Sequence, residues 1–311
     1  MDDRRPPFTP RRELGRTGFR ASVLGIGDLA DRSVPVEECV ATVRRAMDAG
    51  LNVVDTAPGY EDGYSEEIVG RALRGRREGI FLVDKIDHLA DPVEPQLEAS
   101  LRRLGTDRVD AYVFHDLSDM ATYRALREPG AGFDQLAECV RAGKARFRGI
   151  ASHHPDVLLA AIADGVCDVV MFPLGPFVDA RYVEEVLPAA RRGGVGTVCF
   201  KTFGAGKLVG DTAGYDQPLA RPRGKVSSGG SDAVAATLPR LDPAECVRYT
   251  LTLDPDVALL GLSFPNEQDQ AFAAARAFAP LTPDEMADVR RRAADARRGK
   301  GPCWWNPDPE A

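Results

Sequence analysis

The 311 residues contain no apolar run near the ~20 that a membrane-crossing helix needs, so no membrane span is expected. The opening Met1-Asp2-Asp3-Arg4-Arg5-Pro6 lacks the apolar core of a signal peptide, and a cytoplasmic protein is expected. Positive charge is in deficit: 40 Lys and Arg stand against 47 Asp and Glu, for a net charge of −7 and a pI near 5.3. That balance argues against nucleic acid or an anionic membrane as partner, since both need a basic face, and leaves a small molecule. The six cysteines (Cys39, Cys139, Cys167, Cys199, Cys246, Cys303) form no C-x-x-C pair and have no histidine at ligand spacing. Neither a disulfide framework nor a metal site is expected, and most of these thiols read as buried small hydrophobes. No linker divides the chain, so residues 1–311 are expected to form one domain. The G-x-G-x-x-G fingerprint is missing too, because Gly25-Ile26-Gly27-Asp28-Leu29-Ala30 does not complete it, and an open dinucleotide-binding sheet is disfavoured.

Three apolar runs, each ending in one polar residue, organise what is present: Asn52-Val53-Val54-Asp55, Ile80-Phe81-Leu82-Val83-Asp84-Lys85 and Ala111-Tyr112-Val113-Phe114-His115. Each is short and rich in Val and Phe, as strands buried on both faces of a parallel sheet are, and amphipathic stretches of helical length lie between them. Asp55, Lys85 and His115 fall 30 residues apart. In a strand-helix repeat of that period, equivalent residues would lie side by side at the carboxyl ends of the strands, where parallel α/β proteins keep their active sites.

The alternation runs on through the chain. Arg12 to Arg20 reads as a hairpin ahead of the repeat, Ala21 to Gly27 as the first strand, and Val36 to Ala49 as a helix with Val36, Val40, Val43 and Met47 on one face. A helix opens near Ser65-Glu66-Glu67, and others span Val93–Leu104 and Phe133–Arg141. Strands Phe147–Ser152, Cys167–Phe172 and Gly196–Lys201 alternate with helices Asp156–Ala163 and Tyr182–Arg191. Gly204 to Leu241, rich in Gly, Pro and Ser, is too long for an ordinary connection and reads as a lid. Helix Pro243–Leu253, strand Val257–Leu262 and helix Asn266–Phe278 complete an eighth unit, and Thr282-Pro283-Asp284-Glu285 opens one more helix. Eight strand-helix units predict a (β/α)8 TIM barrel with an N-terminal β-hairpin and long active-site loops.

Singly, each polar strand end has an ordinary explanation: Asp55 as a turn cap, Lys85 as a solvated end, His115 as a satisfied histidine. Together they would crowd the barrel mouth, where an unused buried charge costs several kcal/mol by typical estimates. Tyr60 lies five residues past Asp55 on the same loop. A cation ~4 Å from a phenol of pKa ~10 contributes up to ~4 kcal/mol toward the phenolate at an effective dielectric of ~20, and burial opposes it.

Asp55-Thr56-Ala57-x-x-Tyr60, then Ser65-Glu66-Glu67-Ile68-Val69-Gly70-Arg71-Ala72-Leu73, Lys85 and His115 resemble the aldo-keto reductase superfamily. The likeness extends over Leu14-Gly15-Arg16-Thr17-Gly18, Gly149-Ile150-Ala151-Ser152 and Pro280-Leu281-Thr282-Pro283-Asp284-Glu285. It implies an oxidoreductase without a metal. The catalytic residues would be Tyr60 as proton donor, Lys85 lowering its pKa, Asp55 holding the lysine and His115 orienting the carbonyl. Tyr64 competes for the donor role, and the family spacing selects Tyr60.

The resemblance implies NADPH or NADH as cofactor, with contacts from Gly27, Asp28 and Asp55, from Ser152 and Met171 where the family has asparagine and glutamine, and from Phe200 as the stacking aromatic. Lys201, Thr202, Phe203, Gly204 and Gly206 would run beside the pyrophosphate. Ser263 and Gln268, with Leu262, would stand near the adenosine, where NADP-preferring members carry cations, unless Arg221, Arg223 or Lys225 supply them. His153 and His154 fill no family role and read as structural. Trp304 and Trp305 read equally as packing or as pocket wall. The stretches Ile150-Ala151-Ser152-His153-His154-Pro155 and Lys201-Thr202-Phe203-Gly204-Ala205-Gly206 are more like a bacterial branch whose members often carry a C-terminal iron-sulfur region, and this chain lacks those cysteines. A sensor or auxiliary subunit with little turnover is the alternative. The loops that choose a substrate carry no readable code, and no oligomeric state is indicated.

Overall fold

The computed structural model describes residues 10–32, 34–209, 239–261, 265–298, 303, 305 and 306, the side chains of 265–267 excepted. Most of the expected lid, with Arg221, Arg223 and Lys225, lies outside these residues, as do Leu262, Ser263 and Trp304. A hairpin opens the fold: β1 (Arg11–Glu13) pairs antiparallel with β2 (Arg20–Ser22). The one strand expected from Ala21 to Gly27 is therefore two. The Ser22 hydroxyl donates to the Leu24 carbonyl at 2.6 Å and bends the chain between them, so that β3 (Leu24–Ile26) enters the barrel.

β4 (Val53–Asp55), β5 (Phe81–Ile86), β6 (Val109–Phe114), β7 (Ala145–Ala151), β8 (Val169–Pro173), β9 (Gly196–Phe200) and β10 (Val257–Leu260) follow, all parallel. They close in the order β10-β3-β4-β5-β6-β7-β8-β9, the eight-stranded barrel with its hairpin that the repeat predicts. The helices fall near their expected spans. α1 (Val36–Asp48) buries Cys39, Val40, Val43 and Ala46, and α2 (Tyr64–Leu73) and α3 (Val93–Leu104) follow, α3 ending at Gly105 with φ 64°. The loop after β6 holds an unforeseen helix, α4 (Met120–Leu126), started by Asp119, whose carboxylate accepts the Thr122 N–H at 2.8 Å.

Among the described residues there follow α5 (Gly132–Arg141), α6 (Pro155–Ala163), a π-helical turn (Tyr182–Val186) running into α7 (Leu187–Gly193), α8 (Pro243–Thr252), α9 (Pro265–Arg276) and α10 (Pro283–Ala296). α8 and α10 each begin with a reciprocal capping box, at Asp242 and Glu245 and at Thr282 and Glu285.

Strand alternation divides the core in two. Leu82, Ile86, Tyr112, Phe114, Ile150 and Phe172 pack outward against the helices, while Val53, Phe81, Val83, Ala111, Val113, Val169, Met171 and Val198 fill the barrel. The hairpin stoppers the amino end: Leu14 is buried in the inner cluster, and the Phe19 ring lies 5.2 Å from Phe81, which stacks on Phe147 at 5.9 Å. Gly15, at φ +48°, seats this plug, since a Cβ there would run into the Gly194 and Gly196 backbone. The carboxyl end is left for the site. Cys39, Cys139, Cys167, Cys199 and Cys246 are buried free thiols.

Candidate active site

A cavity of about 510 Å³ opens at that end, and Asp55, Tyr60, Lys85 and His115 all line it. Asp55 ends β4, Lys85 is next to last in β5, and His115 follows β6. They do not lie side by side as the 30-residue interval suggested. Asp55 is opposite Val83 and Lys85 opposite Val113, so the lateral interval is 28 residues and each strand climbs two past its neighbour. An even step keeps side-chain parity, and all three residues face the interior.

Lys85, 1% exposed, donates to Asp55 Oδ1 at 2.7 Å and to the Thr56 carbonyl at 2.7 Å. Burial works against its charge, but Asp55 and the Tyr60 hydroxyl outweigh burial and hold it as an ammonium above the ordinary lysine value. Its Nζ lies 4.4 Å from the Tyr60 ring centre. Tyr60 stands on a tight turn, its N–H donating to the Ala57 carbonyl at 3.2 Å, and Glu61 (φ 51°), Asp62 (φ 52°) and Gly63 (φ 82°) then carry the chain in the left-handed region into α2. Strain at two non-glycine residues beside a reactive side chain is common at functional sites.

Burial raises the Tyr60 pKa and Lys85 lowers it, both as expected, but burial is the larger. Burial pushes the phenol above its ordinary value, and the Lys85 ammonium recovers only part of that. The phenol keeps its proton, as a donor must. The His115 ring stands edge-on to Tyr60 at 5.5 Å and 80°, and its Nδ1 pairs with Asp87 Oδ1. The Asp87 carboxyl feels burial first, yet the bond to His115, the charge of His115 and the Gly59 N–H together hold it below the ordinary carboxylate range.

Gly27, Asp28, Phe200, Lys201, Thr202, Phe203 and Gly206 line the same cavity. Burial raises the Asp28 carboxyl to about 6, against the Ala30 N–H, Ser65 and Lys85. Phe200 stands 5.2 Å from the His153 ring. Lys201 (φ 70°) is pushed down to about 8 by burial, which Asp116 opposes.

Four expected contacts are not brought to the cavity. Ala151 is the inward residue of β7 and lines the cavity; Ser152 has the opposite parity and closes the turn into α6, accepting the His154 N–H at 3.0 Å. Met171 is locked in the inner apolar cluster. Gly204 (φ +55°) turns its Cα toward Leu208. Gln268 is buried between α9 and α1, where Arg45 donates to its Oε1 at 3.0 Å and its Nε2 donates to the Thr42 carbonyl at 3.4 Å.

Ala205, in the segment expected near the pyrophosphate, and Gly261, expected near the adenosine, also line the cavity, and sequence reasoning missed Asp87, Asp116, Gly59, Val209 and Leu259. Asp87 had a signal: it stands 28 residues before His115, the true lateral interval. His153, read as structural, lines the cavity with its Nδ1 at 2.8 Å from Asp116 Oδ1, whereas His154 does cap α6. Trp305 is a packing residue: fully buried, it donates from Nε1 to the Phe177 carbonyl at 3.3 Å and accepts the Tyr182 hydroxyl on its own carbonyl at 3.2 Å. Among the described residues, no helix is long and apolar enough to cross a membrane.

Known proteins resemble this chain in sequence and in fold. The chain is 30% identical over 215 residues to L-galactose dehydrogenase of Arabidopsis thaliana, a match covering 64% of this chain and 66% of the relative. It is 27% identical over 226 residues to an NADH-specific methylglyoxal reductase of Escherichia coli, covering 63% and 68%. The chain thus spans about two thirds of the length of these relatives. Among solved structures, the holo form of aldo-keto reductase AKR11C1 from Bacillus halodurans superimposes with a TM-score of 0.69 at 25% identity, over 91% of this chain and 95% of that one. The model of the Aldo/keto reductase family matches residues 23–293, from the edge of the first barrel strand into the last helix, and the chain belongs to that family.

Proposed function

We propose that this aldo/keto reductase reduces a small aldehyde or ketone to the alcohol with NADPH or NADH in the cytoplasm, or oxidises a sugar or alcohol in reverse, with Tyr60 as proton donor. The observation that carries the reading is the buried Lys85 ammonium, fixed by Asp55 and Thr56 and set against Tyr60 inside the cavity. The names of the relatives, a methylglyoxal reductase and an L-galactose dehydrogenase, support small carbonyls or sugars as substrates.

The residues fit a nicotinamide dinucleotide. Phe200 offers a flat aromatic wall beside the tetrad, Lys201 a cation for a phosphate, and Ala205 and Gly206 a turn with almost no side chain to block an extended ligand. When bound, the reduced nicotinamide supplies the hydride. The chain supplies the rest: Tyr60 Oη gives its proton to the carbonyl oxygen, Lys85 stabilises the phenolate left behind, Asp55 keeps Lys85 charged and aimed, and His115 holds the carbonyl oxygen beside Tyr60. The new alcohol leaves, and Tyr60 regains a proton from solvent. In the reverse direction the phenolate takes the alcohol proton, and the cofactor ratio decides which direction runs.

Mixing the enzyme with each reduced cofactor and a panel of aldehydes, ketones and sugars tests this. Cofactor oxidation with stoichiometric alcohol is the expected result. Tight cofactor binding without turnover on any carbonyl, or any alcohol in reverse, would instead mark a sensor or auxiliary subunit.

A further inference from the structure

Asp87 belongs to no step described above, yet its contacts join the two loops that carry the reacting groups. It follows Ile86, the last residue of β5, and like Lys85 it lines the cavity. One of its oxygens meets Nδ1 of His115. On the other side its Oδ2 lies against Gly59, the residue before Tyr60, whose backbone N–H helps hold the carboxyl pKa down. Gly59 makes room for this, since a Cβ there would collide with Asp87 Oδ2. Asp87 therefore ties the His115 ring to the Tyr60 turn, which lie edge to face at 5.5 Å.

We propose that Asp87 is a positioning residue for the reduction: it clamps His115 against Tyr60 and fixes the proton on Nδ1, so that Nε2 is the nitrogen turned to the substrate oxygen. The inference rests on the reductase reading of the site. An ionised carboxylate accepts, so Nδ1 must carry the hydrogen that faces it. A neutral ring then has only a lone pair at Nε2, suited to receiving an alcohol O–H. A carbonyl oxygen needs a donor, and Nε2 becomes one when the ring takes a second proton. In either case the ring meets the substrate oxygen through Nε2, and Asp87 is what fixes that edge.

Nitrogen NMR of the His115 ring in the resting protein reads the tautomer without turnover, and steady-state kinetics of Asp87→Asn and Gly59→Ala read the consequence. The wild-type ring should carry its hydrogen on Nδ1. Asp87→Asn, nearly isosteric, should lose the fixed tautomer and lower kcat for reduction about 10-fold or more, the scale of a misplaced catalytic group, with cofactor affinity unchanged. Gly59→Ala, whose Cβ would displace Asp87 Oδ2, should reproduce the defect. An Nε2-protonated ring in the wild type, or an Asp87→Asn enzyme with unchanged kcat, would overturn the proposal. A wild type that reduces no carbonyl would sink the reductase reading while leaving the tautomer result standing.

Discussion

Lys85 Nζ reaches Asp55 Oδ1 at 2.7 Å, although the strands set Asp55 opposite Val83 and Lys85 two residues further on. The stagger belongs to a closed barrel, whose tilted strands pair with a net shear around the eight of them. A long side chain at the higher position then reaches back to a short one at the lower position. A lysine above an aspartate fits this geometry, and the reverse order would leave the ammonium beyond the mouth.

Lys85→Met removes the ammonium and leaves Asp55 buried without its partner. The reduction rate should fall by at least ~10²-fold while the cofactor still binds. Stability should drop by about 3–5 kcal/mol in urea melts, because an orphaned buried charge remains. Adding Asp55→Asn should restore most of the stability and none of the activity. A Lys85→Met enzyme that turns over normally at saturating cofactor would refute the assignment.

The barrel was legible because its signal is periodic: buried strands of Val and Phe, amphipathic helices and glycine stops recur eight times. The tetrad was legible because three ionisable strand ends shared one interval. What could not be read was register. An interval of 30 residues looks lateral in the sequence, and only the pairing of Asp55 with Val83 shows that neighbours stand 28 apart, which is the step that leads to Asp87. Parity misled at Ser152, since a family motif names a position and not the face that the local turn gives it. Gln268 was placed beside the adenosine, and its partners Arg45 and Thr42 are distant in sequence.

Asp84 predicts a pH dependence of stability apart from catalysis. Among the described residues neither of its buried carboxyl oxygens, nor the hydroxyl of Tyr112 opposite it, has a hydrogen-bond partner. Burial, reinforced by Glu66, pushes its pKa up to about 8, against ~3.9 in an unfolded chain. The folded state therefore keeps a proton that the unfolded chain releases. This contribution is full below pH ~4, is lost as pH rises toward about 8, and changes no further above it. Asp84→Asn should flatten that slope and raise Tm by a few degrees above neutral pH, read by thermal melts across the window. Parallel slopes in the variant and the wild type would place the proton elsewhere.

Lys201 predicts a pH dependence of cofactor binding. Its pKa is pushed down to about 8 by burial, so in the free enzyme its charge fades as pH rises through that value. A dinucleotide phosphate beside it should bind more weakly above pH 8 than below. Lys201→Met should lose about 10-fold in affinity at neutral pH, the scale of one charge-assisted hydrogen bond, and show no slope in this window. Fluorescence titrations with either reduced cofactor test both statements, and a Lys201→Met affinity equal to wild type at pH 7 would remove Lys201 from the phosphate site.

Tyr60 carries the sharpest expectation. Lys85 is held as an ammonium by Asp55, and His115 is engaged by Asp87, which leaves the phenol as the group with a transferable proton at the heart of the cavity. Burial keeps that proton in place above the ordinary tyrosine value, so the resting donor stays loaded at neutral pH and the Lys85 ammonium matters once the phenolate forms. Tyr60→Phe keeps the ring, its packing against His115 and the cation over its face, and deletes only the hydroxyl. The carbonyl reduction rate should fall by the ~10²-fold to 10⁴-fold typical of a lost general acid, with cofactor affinity and Tm close to wild type. Tyr64 is the internal control: it opens α2 with Arg32 4.8 Å over its ring, it is absent from the cavity wall, and Tyr64→Phe should keep most activity. A dead Tyr64→Phe beside an active Tyr60→Phe would move the acid to the other tyrosine. Full activity in both would mean that the proton comes from outside the tetrad.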